Sequence, residues 1–95
     1  MKLAFIGTGK IIADALFAIE PIKEIEKTAI FARPHSKEKA EAFAKQYNIA
    51  EVYTDYEKLL TETAADTVYI GLINSAHYSY AKQALLHGKN VILEK

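Results

Sequence analysis

Leu3-Ala4-Phe5-Ile6-Gly7-Thr8-Gly9-Lys10-Ile11-Ile12 carries an apolar run, a glycine turn and the start of a helical pattern. The run does not alternate, which is how a strand buried on both faces of a parallel sheet reads. Beyond the turn, Ile11, Ile12, Ala15, Leu16 and Ile19 recur at the 3.6-residue period until Pro21 stops the helix. Where a strand passes through glycine directly into a helix, backbone N–H groups and the positive helix end can meet a pyrophosphate. Gly7, Thr8, Gly9, Lys10 and Ile11 are therefore candidate contacts. The third small residue usual in such a loop is absent: Ile12 stands there and Ala13 follows, so either the helix packs more loosely on the strand or Ala13 takes part of that role. The competing reading is a tight turn that holds no ligand.

Working outward, Thr28–Phe31, Val68–Leu72 and Val91–Leu93 are short apolar runs of the same kind, with a weaker strand around Ala50–Tyr53. Ala40, Phe43, Ala44 and Tyr47 keep the helical period, as do Tyr80, Ala81, Ala84 and Leu85. Thr54 with Glu57 three residues on reads as a capping box, and Gly88 as a left-handed helix end. Right-handed crossovers then predict an α/β, doubly wound parallel sheet, a Rossmann fold, with five strands in the order 3-2-1-4-5 and helices on both faces. With no linker or low-complexity stretch, one domain covers residues 1–95.

Composition bounds the partners. Twelve basic residues balance twelve acidic ones, which removes the electrostatic footprint of a nucleic-acid or anionic-membrane binder. There is no cysteine, hence no disulfide, thiol nucleophile or cysteine metal site, and His35, His77 and His87 lack metal-ligand spacing. The opening apolar run is too short for a signal sequence, so the expectation is cytoplasmic, with no metal, nucleic acid or membrane partner. The tyrosines at 47, 53, 56, 69, 78 and 80 match buried faces and are expected in the core. The mixed charges of residues 20–27 and 37–45 read as solvated surface.

The second strand should end near Ala32, where selectivity for NAD normally places a carboxylate on the ribose 2′-hydroxyl. Here stand Arg33, Pro34, His35, Ser36 and Lys37. A guanidinium (Arg33), a hydroxyl (Ser36) and an ammonium (Lys37) suit a 2′-phosphate instead, so NADP is the expected cofactor, with NAD the other possibility. A solvated basic turn that binds nothing is the alternative. Ile73-Asn74-Ser75-Ala76-His77 lies at the carboxyl end of the fourth strand, beside the crevice where open parallel sheets bind ligands. Asn74 or Ser75 suits a helix N-cap, and His77 falls in the first turn as a hydrogen-bonding group or a packing residue. Glu94 and Lys95 close the chain at the end of the fifth strand, where a lysine points into the crevice for proton transfer or substrate orientation, unless it is a solvated end.

Taken together, Gly7-Thr8-Gly9-Lys10-Ile11, Ala32-Arg33, Tyr53-Thr54-Asp55-Tyr56, Val68-Tyr69-Ile70 through Asn74-Ser75-Ala76-His77-Tyr78, and Gly88-Lys89-Asn90-Val91 through Glu94-Lys95 resemble the amino-terminal domain of the Gfo/Idh/MocA family, the glucose–fructose oxidoreductase and inositol dehydrogenase group. The resemblance implies that Gly7 and Gly9 admit the pyrophosphate beside Lys10 and Ile11, and that Arg33 meets the 2′-phosphate. It further implies that Asn74 and His77 lie along the nicotinamide ribose, that Glu94 holds ribose hydroxyls, and that Lys95 is catalytic, over the nicotinamide and touching the oxygen on the reacting carbon. Ile12 and Ile73 depart from the family pattern, which usually has a small residue and a proline there. The expected activity is hydride transfer to or from a hydroxyl or carbonyl carbon of a sugar, polyol or small metabolite, carried out with a substrate domain beyond Lys95, so that the 95 residues alone are inactive. A non-enzymatic NAD(P)-sensing or interaction module is the rival reading. The apolar Val91–Leu93 edge makes a homo-oligomer an expectation as well.

Overall fold

The computed structural model describes residues 1–72 and 74–93, with backbone alone for residues 74–76. Strands β1 (Lys2–Ile6), β2 (Glu26–Phe31), β3 (Glu51–Tyr53), β4 (Thr67–Ile70) and β5 (Asn90–Leu93) pair in parallel in the order β3-β2-β1-β4-β5. Helices α1 (Lys10–Ile19), α2 (Lys37–Tyr47), α3 (Tyr56–Glu62) and α4 (Asn74–Leu86) alternate with them. This is the doubly wound sheet that the sequence predicts.

The run Leu3–Ile6 is apolar throughout because both faces of β1 are covered. Leu3 and Phe5 join Ile30, with Ile12 and Leu16 of α1 and Ala40 of α2, on one side. Ala4 and Ile6 join Phe31, Val68 and Ile70, with Leu59 and Leu60 of α3 and Ala84 of α4, on the other. Phe5, Ile6, Ile12, Leu16, Ile30, Leu59 and Ile70 are fully buried, each worth about 1.5–3 kcal/mol in water-excluded area. In register, Ile6 stands beside Phe31 of β2 and Ile70 of β4, so the three central strands end level. Their carboxyl ends form one crest.

Several local expectations are corrected. The third strand's helix is capped by Asp55, whose Oδ1 accepts the Lys58 N–H at 3.2 Å. With the cap one residue later than Thr54, the third helical position falls on Lys58 and not Glu57, so no reciprocal box forms. β4 stops at Ile70, and Gly71 and Leu72 leave the sheet. α4 begins at Asn74, and the side chains of Asn74 and Ser75, the two residues expected to cap it, lie outside the described residues. Gly88 does end α4 at φ +76°. Tyr56 fits the core expectation: its hydroxyl donates to the Tyr80 carbonyl at 2.8 Å, and burial pushes its phenol above the usual range. Tyr78 does not, being 77% exposed. Tyr80 and Ala84, four residues apart, turn one face of α4 to the sheet, and a residue two positions earlier is carried round to the far side.

Candidate functional site

At the crest, Gly7 donates its N–H to the Phe31 carbonyl at 2.9 Å, and Gly71 donates to the Ile6 carbonyl at 3.0 Å. These bonds carry the turn across all three central strands. Gly7 has φ +118°, and a Cβ there would meet the Gly71 carbonyl oxygen at 2.9 Å and Leu72 Cδ2 at 3.1 Å. The chain itself thus demands glycine at 7. Gly9 is a different case. As N-cap of α1 it has φ −82° and ψ −170°, open to any residue, and a Cβ on it would find nothing within 4 Å. Nothing inside the protein forbids a side chain at 9; the open space in front of it is what a side chain would fill.

Among the described residues no side chain caps α1, and no acidic residue stands in its first turn. Its leading N–H donors and positive dipole end are left for an anion. The Lys10 Nζ turns along the helix to Asp14 at 2.9 Å, with both side chains well exposed.

Ile12 is neither loosely packed nor replaced in its role by Ala13. It is fully buried, and the space a small residue would have left is conceded by Gly71, where a Cβ would lie 2.7 Å from Ile12 Cδ1 and 2.8 Å from its Cγ1. Gly71→Ala is expected to cost about 1–3 kcal/mol through overpacking. In an Ile12→Ala background, which vacates that volume, the added cost of Gly71→Ala should largely vanish. Urea unfolding of the four proteins of this cycle measures it; an equal cost in both backgrounds would show that the two side chains do not compete.

A cavity of 220 Å³ opens between the glycine turn and the end of β2. Gly7, Thr8 and Gly9 line one side, Arg33, His35 and Ser36 the other, with Gly71 and Leu72 beside them. A second hollow of 290 Å³ shares Gly9, Gly71 and Leu72 and continues to Lys10 and Ile11. Two hollows that meet over Gly9, Gly71 and Leu72 suit an elongated ligand whose middle passes Gly9. Among the described residues no carboxylate lines either. Pro34–Ser36 form a single 3-10 turn that the sequence reading leaves undefined, closed by the Ser36 N–H on the Arg33 carbonyl at 2.8 Å. Arg33 is exposed and, among the described residues, its guanidinium has no carboxylate partner.

The predicted site residues divide accordingly. Gly7, Thr8, Gly9, Arg33 and Ser36 converge on the first cavity, and Lys10 and Ile11 on the second. Lys37 begins α2 outside the lining, its Nζ 4.0 Å from Glu41. His77, half-buried in the first turn of α4, donates from Nε2 to the Leu72 carbonyl. That bond ties α4 to the cavity rim. Asn74 is placed only as the start of α4, and Ile73, Glu94 and Lys95 lie outside the described residues. His35, Gly71 and Leu72 belong to the site and are missed by the sequence reading. A Pro-containing turn straight after Arg33 is the one signal that could have found His35. Among the described residues no three histidines, cysteines or carboxylates gather as a metal site, and no helix is long and apolar enough to cross a membrane.

The profile of an oxidoreductase family with an NAD-binding Rossmann fold, GFO_IDH_MocA, matches residues 1–95. A trans-1,2-dihydrobenzene-1,2-diol dehydrogenase of Xenopus laevis is 31% identical over 94 residues, 99% of this chain and 28% of that protein. The structure of a 3-ketoreductase from Actinomadura kijaniata with NADP and TDP-benzene superposes over the whole chain and 29% of its own, with TM-score 0.89 and 31% identity. A scyllo-inositol dehydrogenase from Lactobacillus casei, with bound NAD(H) and scyllo-inositol, shares the fold at TM-score 0.88 and 23% identity, over 100% of this chain and 28% of its own. The chain thus spans under a third of the length of these relatives.

Proposed function

Because this chain belongs to the Gfo/Idh/MocA family of oxidoreductases, we propose that it binds a nicotinamide dinucleotide across the glycine turn, with NADP(H) preferred over NAD(H). The protein carrying it would move hydride between the nicotinamide and a hydroxyl or carbonyl carbon of a sugar, polyol or related small metabolite. The observation that carries the cofactor preference is the part of the lining that follows β2: Arg33 and Ser36, with no carboxylate in the lining and none paired with Arg33 among the described residues. A carboxylate there would repel a 2′-phosphate; a guanidinium takes it through two parallel N–H bonds.

The residues divide the work along the ligand. Gly7, Thr8 and Gly9 would hold the pyrophosphate with the N–H groups at Lys10 and Ile11, while Arg33 and Ser36 would hold the 2′-phosphate and Lys37 add positive field from the start of α2. His77 and Asn74, after Ile73, would line the nicotinamide ribose side, Glu94 its hydroxyls, and Lys95 would orient the substrate oxygen and move its proton. When bound, the dinucleotide supplies or accepts the hydride. The test is calorimetric titration of this chain with NADPH and NADH. Arg33→Ala is expected to weaken NADPH by about 1–3 kcal/mol and leave NADH unchanged. Equal losses for both cofactors would remove the assignment of Arg33 to the 2′-phosphate.

A further inference from the structure

We infer that His35 is a second anchor for the 2′-phosphate and, with Arg33, determines which dinucleotide this site selects. The inference rests on the reading of the cavity as a dinucleotide site. His35 lines the same wall as Arg33 and Ser36. The turn that carries it is stiffened by Pro34 at its first position and closed by the 2.8 Å bond from the Ser36 N–H to the Arg33 carbonyl. Its place on the wall is therefore set by the backbone.

The three histidines differ in what their rings already do. His77 engages the Leu72 carbonyl through Nε2, and His87 engages the Gln83 carbonyl through Nδ1 at 2.9 Å. His35 has no hydrogen-bond or ion-pair partner among the described residues, so both ring nitrogens remain for a ligand. Lys37, the other nearby cation, sits outside the lining and toward Glu41. The charged groups around the turn are Arg33 before it and Lys37, Glu38 and Lys39 in the first turn of α2, and none of the three from α2 reaches the cavity wall. A phosphate presents three terminal oxygens. The Arg33 fork takes two, and the Ser36 hydroxyl and a His35 N–H are the groups left on that wall for the third and for a shared lone pair.

Adenosine 2′,5′-bisphosphate and adenosine 5′-monophosphate differ only in the group at issue, so both are titrated into the wild-type chain and into His35→Ala and His35→Lys. His35→Ala should bind the bisphosphate roughly tenfold more weakly and the monophosphate unchanged, and His35→Lys should recover the loss. In the wild type, the His35 ring proton resonances should shift with the bisphosphate and stay fixed with the monophosphate. Unaltered thermal melts of both variants exclude a damaged turn. If the bisphosphate binds with a preference that Arg33→Ala removes and His35→Ala does not, the inference fails while the cofactor reading stands. Equal weakening of both ligands by His35→Ala also overturns it, assigning His35 to the adenine or to the turn. If the wild type binds neither compound and no NADPH, the cofactor reading itself has failed.

Discussion

Gly9→Val should fold like the wild type and lose dinucleotide binding by at least about a hundredfold, the equivalent of two charge-assisted hydrogen bonds to a pyrophosphate. The folding half of this expectation follows from the backbone: at φ −82° and ψ −170° Gly9 is in extended conformation, which a β-branched residue adopts without strain. A Cβ there touches nothing within 4 Å, so no packing is displaced. The binding half follows from the same emptiness. Gly9 borders both hollows, and isopropyl bulk at their junction would hold a ligand's middle away from the N–H groups of α1. Gly9→Ala should fall between the two. Calorimetry with NADPH, run beside a thermal melt, separates the effects; a folded Gly9→Val that binds as the wild type does would mean that the ligand does not pass the turn.

The contrast between the two glycines marks where sequence reading stops. Gly7-Thr8-Gly9 looks symmetrical on paper, yet one glycine answers to the segment that follows the neighbouring strand and the other to open space. Only the level ends of β1, β2 and β4 make that distinction, because they bring Gly71 against Gly7 from 64 positions away. The architecture itself was readable: strands buried on both faces have no solvated side to produce alternation, and residues such as Phe5, Ile30 and Val68 announce that directly. In sequence alone Ile12 reads as a departure from the glycine loop, because its partner is distant along the chain. Gly71 is that partner, so the small residue has moved across the contact. At Thr54 the difficulty was competition between neighbours of similar chemistry, since Asp55 caps as well as threonine and lies one residue nearer the first helical turn. His35 was hidden by composition. In sequence His35 shows only that it lacks metal-ligand spacing, whereas the Pro34 turn makes it a wall residue of the cavity.

Gly7→Ala should do the opposite of Gly9→Val, destabilising the fold by about 2–4 kcal/mol through a positive φ and a backbone clash acting together. The contact at 2.9 Å is with the Gly71 carbonyl oxygen, not with the tip of a flexible side chain. That peptide cannot step aside freely, because the Gly71 N–H is bonded to the Ile6 carbonyl at 3.0 Å, and the Gly7 N–H ties the same crest to Phe31. Moving either glycine therefore pulls on ladders that hold the three central strands. Leu72→Ala would remove the second contact, at 3.1 Å to Leu72 Cδ2, and leave the first, so most of the Gly7→Ala cost should persist in that background. For a domain of ordinary stability, ~5–15 kcal/mol, the loss is a large fraction of the total and should lower the melting temperature by roughly 4–8 °C for each kcal/mol. Gly9→Ala, by comparison, should stay within about 0.5 kcal/mol of the wild type. Urea midpoints for Gly7→Ala and Gly9→Ala, taken with unchanged slopes, decide between them. Coincident midpoints would mean that the crest yields more easily than its hydrogen bonds imply, and that glycine at 7, like glycine at 9, answers to the ligand and not to the fold.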